Sequence, residues 1–326
     1  VDRVFRLDDG EKAVFQKIMR ATEAFCGVRV LTYAVMSDHF HLLVEVPGQT
    51  EVGEAELVRR MTVLYGRATV AGVLEQWAEW RKNGEARLVR EQQDKLRQRM
   101  DDVSAFVKTL KQRYSMSFNS RHGRRGTLWE NRFKSVLVEN AESVKATVAA
   151  YIDLNPVRAK IVDDPKNYRW SGYGEACRGG KRARESLAAL YDAPGRERAG
   201  DWRHAVRRYR TLLSIPDGAW GENGVGSAVR AACESSEVER VIEEGRKLTL
   251  QQALRCRVRY FTDGMVIGGT DFVERVFGEN RQYFGPKRTD GARKMRFAEW
   301  GELRTARALR IAPVSAPIGT RSKLPG

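Results

Sequence analysis

The 326-residue chain is poor in the residues that build disulfide and metal-clip scaffolds. Its four cysteines, Cys26, Cys177, Cys233 and Cys256, lie far apart with no CxxC pair, which excludes a disulfide framework and a zinc ribbon and fits reduced thiols in a cytoplasmic protein. No run of about 18 apolar residues occurs, so no membrane span is expected. The opening VDRVFRLDDG is too charged for a secretory signal. No fixed-period repeat is present, which removes solenoids and propellers. Histidine is scarce as well, with four in the whole chain, so the position of each carries information.

What is there in quantity is positive charge. Lys and Arg number 58 against 42 Asp and Glu, a formal net charge of +16. Such a balance favours polyanionic partners, nucleic acid first, although an arginine-rich solvated surface has the same composition. With 42% hydrophobic residues the chain has material for a sizeable core and about two domains.

Along the chain, apolar residues at Ala13, Val14, Ile18, Met19 and Ala21 predict an amphipathic helix from Gly10 to Phe25, stopped by Gly27. Two β-branched and aromatic runs, Val28 to Met36 and His39 to Val46, flank Ser37 and Asp38 and predict a hairpin. Charged, helix-forming sequence follows from about 50 to 102 and reads as an insertion. Val103 to Phe118 has helical spacing and runs into the loop SRHGRRG; SVLVE is then expected as a strand, Asn140 as a helix cap, and AESVKATVAAYIDLN as a helix ended by Pro156. The basic stretch at 178–185 reads as a linker between a first domain, 1–177, and a mainly helical C-terminal region, 186–311, with a disordered tail at 312–326. In that region Arg203, Arg207, Arg208 and Arg210 lie along one segment, as a helical DNA-binding module or a solvated helix face would have them.

Three groups of residues carry candidate chemistry. His39 and His41 alternate along a strand and so project to the same side, with Phe40 and Leu42 on the other; they suit a two-histidine metal site, or form an incidental pair. Tyr151 and Asn155 share a helix face, either as a nucleophile beside an amide ligand or as a core tyrosine and a helix-ending asparagine before proline. In RHGRRGTLWENRFK, Arg121, Arg124, Arg125, Arg132 and Lys134 are placed to neutralise phosphates or to coat a solvated loop. Trp129 and Phe133 would stack bases or pack inside. His122 reads as a loop or phosphate-contacting residue, and Arg158 as a phosphate contact or the partner of Asp153 or Asp163.

Taken in order, VMSDHFHLLVEVP, RHGRRGTLWENRFKSVLVE and YIDLNPVRAKIVDDPKNYRWSGY resemble the REP-associated tyrosine transposases, relatives of the single-tyrosine insertion-sequence transposases. The resemblance spans about residues 5 to 173, apart from the helical insertion. It implies an α+β chain with an HUH nuclease fold: a central antiparallel sheet with packed helices, the histidine pair on a central strand and the tyrosine on a nearby helix. It further implies that His39 and His41 bind a divalent metal, Mg²⁺ or Mn²⁺, and that Tyr151 is the nucleophile. Related transposases often complete the metal site with glutamine four residues after the tyrosine; here that position is Asn155, as in REP-associated members. The implied activity is cleavage and rejoining of single-stranded DNA at hairpin-type repeats through a covalent phosphotyrosine link, by a monomer or homodimer.

Segments such as RYFTDGMVIGGTDFVERVF and AEWGELRTARALRI look similar to C-terminal extensions of some of these proteins. The chain begins at Val1 rather than Met, and family members normally carry a further strand before the DRVF stretch. Loss of that strand would favour the alternative, a domesticated protein that grips a DNA hairpin without cutting it. A metal-dependent hydrolase with an activated water is a third reading, in which Tyr151 only packs.

Overall fold

A computed structural model describes residues 7–48, 51–130, 132–191, 201–213, 244, 247–256 and 258–307. The first helix, α1 (Asp9–Cys26), starts where the Asp8 carboxylate accepts from the Glu11 amide at 2.8 Å. It stops at Gly27, whose φ of 74° suits a residue without Cβ and lets its N–H reach the Glu23 carbonyl. Phe15, Met19, Thr22 and Cys26, spaced three or four apart, form its buried face. The expected insertion folds as helices α2 (Glu54–Tyr65), α3 (Arg67–Lys82) and α4 (Ala86–Arg97), and α5 (Val103–Arg121) follows, capped by Asp102. α1 packs on α2 and α5, with the Phe15 and Tyr114 rings 5.3 Å apart edge to face.

The predicted hairpin is present as β1 (Arg29–Val35) and β2 (Phe40–Glu45), closed where the Met36 amide donates to the His39 carbonyl at 2.8 Å. The chain divides into two compact units. Of the described residues, one takes those within 7–30 and 44–130 together with 132; the other takes those within 31–43 and 133–307. The stretch at 178–185 lies within the second unit.

In the second unit, β3 (Leu137–Val138) runs parallel to β4 (Val266–Gly268), which is antiparallel to β6 (Arg304–Ala306), itself antiparallel to β5 (Arg293–Lys294). The strand expected in SVLVE thus pairs with the C-terminal segment and not with the histidine hairpin. Among the described residues that hairpin is a two-stranded sheet of its own, so the single central antiparallel sheet implied by the resemblance is not what is observed. The physical reason is burial: Val136 and Val138 pack into a cluster with Leu248, Ile267, Met295 and Trp300. Among the described residues the C-terminal region carries the three short strands β4, β5 and β6 beside its helices. The chain as a whole is α+β.

Two further expectations are corrected. Asn140 does not cap the tyrosine helix α6 (Glu142–Asp153), whose N-cap is Ala141. The basic stretch read as a linker enters α9 (Lys181–Ala188), because Ala183, Ser186 and Leu187 lie at helical spacing and are buried beneath the charges. The tail at 312–326 lies outside the described residues.

After α6 come the short α7 (Asn155–Arg158), α8 (Gly172–Cys177) and, beyond α9, α10 (Trp202–Leu213). A buried carboxylate joins them. Asp153 accepts from the Thr32 hydroxyl of β1 at 2.9 and 3.0 Å, from the Tyr173 amide at 3.1 Å and from the Tyr209 hydroxyl of α10 at 2.6 Å. The RWSGYG segment runs beside β1, with the Val35 amide donating to the Trp170 carbonyl and the Tyr168 hydroxyl to the Val35 carbonyl. Its two glycines are required by contact. A Cβ at Gly172 would strike Thr32, and one at Gly174 would strike the Tyr168 carbonyl.

Burial raises the Asp153 carboxyl to about 7 against the lowering pull of Tyr209, the Tyr173 amide and Thr32. The fold then binds this proton more tightly than the unfolded chain does. The contribution is present below about pH 4 and is lost as pH rises towards 7. Asp153→Asn should remove that slope from the pH dependence of urea unfolding. It should also lower stability by about 2 kcal/mol, because its amide N–H₂ meets donors in place of acceptors.

Candidate functional site

The hairpin brings the histidines together as the strand period requires. His39 enters β2 and His41 lies on it, with ring centroids 4.9 Å apart and planes at 89°. His39 is half exposed, and its Nδ1 lies 2.6 Å from the Asp38 carboxylate. A carboxylate can only accept, so the Nδ1 that faces it carries a proton. His41 is held neutral: burial, then the charge of His39, then that of Arg158 lower it to about 3.

Tyr151 comes from α6, a helix buried along nearly its whole length, and is itself 3% exposed. Its ring stacks on Phe261 of the short helix α12 (Tyr260–Asp263), with centroids 4.4 Å apart and 24° between planes. The Arg158 guanidinium lies 3.8 Å from the same centroid. A ring and a guanidinium that close to one centroid must take opposite faces, so the phenol is clamped between a π-system and a cation. Arg158 is fixed in turn by donating to the carbonyl of Tyr151 at 2.5 Å and to that of Leu254, at the end of α11 (Leu250–Leu254), at 2.6 Å.

Asn155 ends the tyrosine helix. Its Nδ2 donates to the Ile152 carbonyl at 3.0 Å and, at 3.4 Å, to that of Tyr151, while its Oδ1 has no hydrogen-bond partner among the described residues. Two imidazoles and an amide oxygen are nitrogen and oxygen donors of a kind that divalent Mn²⁺ accepts, and Mg²⁺ where phosphate and water supply further oxygens. Among the described residues no group of three His, Cys, Asp or Glu is placed to hold a metal ion.

The structure therefore joins His39 to His41, and Tyr151 to Asn155 and Arg158, with the Arg158 charge felt at His41. Asp153, once a candidate partner of Arg158, is occupied by Thr32, Tyr173 and Tyr209. The basic loop belongs to the other unit. There Arg121 donates to Glu11 and Ser117, His122 contacts Glu11 and stacks on Phe118, and the Arg124 guanidinium lies over Phe118. Burial works against the lowering pull of His122, Tyr114 and Arg121 on Glu11, and the net effect keeps its carboxyl below the usual range. Arg125 and Arg132 are exposed, as is Lys134 in the second unit. Trp129 packs on α5, its indole N–H donating to Ser115 Oγ at 2.8 Å, while Phe133 remains 39% exposed.

Sequence reasoning missed two members of the site. Asp38 could have been found from its place next to the first histidine. Phe261 could not, since it lies 110 positions from the residue it covers.

An imidazole held neutral binds fewer protons in the fold than in the unfolded chain. Stability from His41 is thus present above about 6.5 and is lost as pH falls towards 3. In an NMR titration the His41 ring should show no inflection across the ordinary histidine range of about pH 5 to 8. Arg158→Gln should move its titration upward by removing a positive neighbour. Compared with known proteins, the chain matches no family model, no curated protein and no solved structure.

Proposed function

We propose that this chain is a metal-dependent single-stranded DNA endonuclease and strand transferase of the REP-associated tyrosine transposase kind, acting at hairpin-type repeats. In this reading His39, His41 and Asn155 hold a divalent ion and Tyr151 is the nucleophile, the HUH-type element being the hairpin of β1 and β2 alone. The observation that carries the reading is the pairing of a neutral His41 with His39, within reach of the charge of an arginine stacked on the tyrosine.

The chemistry follows from the residues. The Tyr151 hydroxyl attacks the scissile phosphorus, gives up its proton as the bond forms, and releases a sugar hydroxyl, leaving a phosphotyrosine ester. Since that ester retains the energy of the phosphodiester, a second DNA end can reverse the step, which suits strand joining. A bound divalent ion would supply a Lewis acid for a non-bridging phosphate oxygen. Arg158 and Phe261 restrict the phenol's rotation, so less orientational freedom remains to be lost on attack. The Asp38 carboxylate faces a protonated His39 Nδ1, so in this reading the ion is met by Nε2. Arg121, Arg124, Arg125, Arg132 and Lys134 are the proposed backbone contacts.

One observation favours the second reading, a DNA-hairpin binder that no longer cuts: both faces of Tyr151 are covered and 3% of the residue is exposed. The test separates the two. Labelled single-stranded hairpin DNA incubated with Mn²⁺ or Mg²⁺ should yield a covalent adduct retained on a denaturing gel, lost in Tyr151→Phe and in His41→Ala. Hairpin binding without an adduct would leave the binder, and cleavage that survives Tyr151→Phe would leave a water-using hydrolase. Independently, Asp38→Ala should weaken Mn²⁺ affinity by about tenfold in calorimetry, as loss of a carboxylate behind a histidine ligand does.

A further inference from the structure

The C-terminal sheet carries a basic cavity that the nuclease reading does not use. About 830 Å³ in volume, it is lined by Arg293 and Lys294 of β5, by Arg296, by Arg307 just past β6, and by Tyr260 of α12. That size lies within the range of about 300–1,000 Å³ typical of small-molecule sites. Asp290 is the one acid in the lining, against four cations. None of those cations forms an ion pair among the described residues, although ion pairs are common elsewhere in the chain.

Two observations at the cavity point to a ligand. Thr305 lines it and is 2% exposed, yet its Oγ1 has no hydrogen-bond partner, a hydroxyl that a phosphate oxygen can satisfy. Next to Arg296, Phe297 is 59% exposed and sits at a φ of 76°, a left-handed backbone that a bulky side chain rarely adopts. The chain therefore tolerates both solvent exposure of an aromatic ring and backbone strain beside cations that have no ion-pair partner among the described residues, and such costs concentrate at functional positions.

We propose that this cavity and Phe297 bind a single-stranded nucleic acid, with the cations on successive phosphates and the phenylalanine as a stacking surface for a base. Cationic grooves with an exposed aromatic are how single strands are held without sequence readout. A flat bilayer fits a concave, charged lining poorly, and a lone phosphate would leave most of the volume unfilled. The inference goes beyond the nuclease reading: it concerns other residues than His39, His41 and Tyr151, and it stands if that centre proves inert.

Fluorescence anisotropy of the full chain with a labelled oligothymidylate, which forms no hairpin, tests it. Arg293→Ala/Arg296→Ala should weaken binding about tenfold or more and flatten the slope of log affinity against log salt by about 0.7 per arginine. Phe297→Gly should also weaken binding while its melting temperature holds or rises, because glycine takes that backbone without strain, so the loss cannot be assigned to unfolding. Arg87→Ala, which removes an arginine 80% exposed on α4 and belonging to neither site, should bind as the parent does. Parental affinity in both cavity variants would overturn the proposal, and so would tighter binding of the parent to phosphatidylserine vesicles or to duplex DNA than to the oligothymidylate.

Discussion

The second unit depends on one buried carboxylate. Asp153 lies two residues beyond Tyr151 on α6, and its acceptors are filled by Thr32 of β1, the Tyr173 amide of α8 and Tyr209 of α10. Removing a carboxyl from water is costly unless its oxygens are hydrogen-bonded, so each of these donors is obligatory. Their positions fix the tyrosine helix against the strand that leads into the histidine turn. The candidate nucleophile and the candidate metal ligands thus share a reference point neither contains.

Local structure was legible in the sequence where local physics decides it. Gly27 marks the end of α1 because capping is a matter of a few neighbouring backbone groups, whereas the Asp8 cap places the start one residue ahead of Gly10. The hairpin and the same-side placement of His39 and His41 follow from a two-residue period. The sheet made by β3, β4, β6 and β5 was not legible, since its strands have two or three residues and draw their stability from partners far along the chain. Charge misled at Lys181–Ala188, where lysine and arginine surround a buried alanine and leucine.

The same contrast applies to the site. His39, His41, Tyr151 and Asn155 could be named from spacing and resemblance. What surrounds Tyr151 could not: the guanidinium of Arg158 on one face and Phe261 on the other arise from packing of α7 and α12. By sequence Arg158 reads as a phosphate contact or an ion-pair partner. Its two short bonds to carbonyls make it first a brace for the phenol, with its charge acting on His41 as well.

The parallel pairing of β3 with β4 has a bearing on how the chain can be divided. Leu137 and Val138 meet Val266 and Ile267, and Val144 of the tyrosine helix shares a cluster with Leu248, Ala253 and Ile267. A fragment ending near residue 185 would keep every residue of the transposase-like motifs. It would also bare an unsatisfied strand edge and the apolar side of α6, an invitation to self-association. The tyrosine helix and the C-terminal strands share one core, so a cut near residue 185 passes through that core and not between two of them.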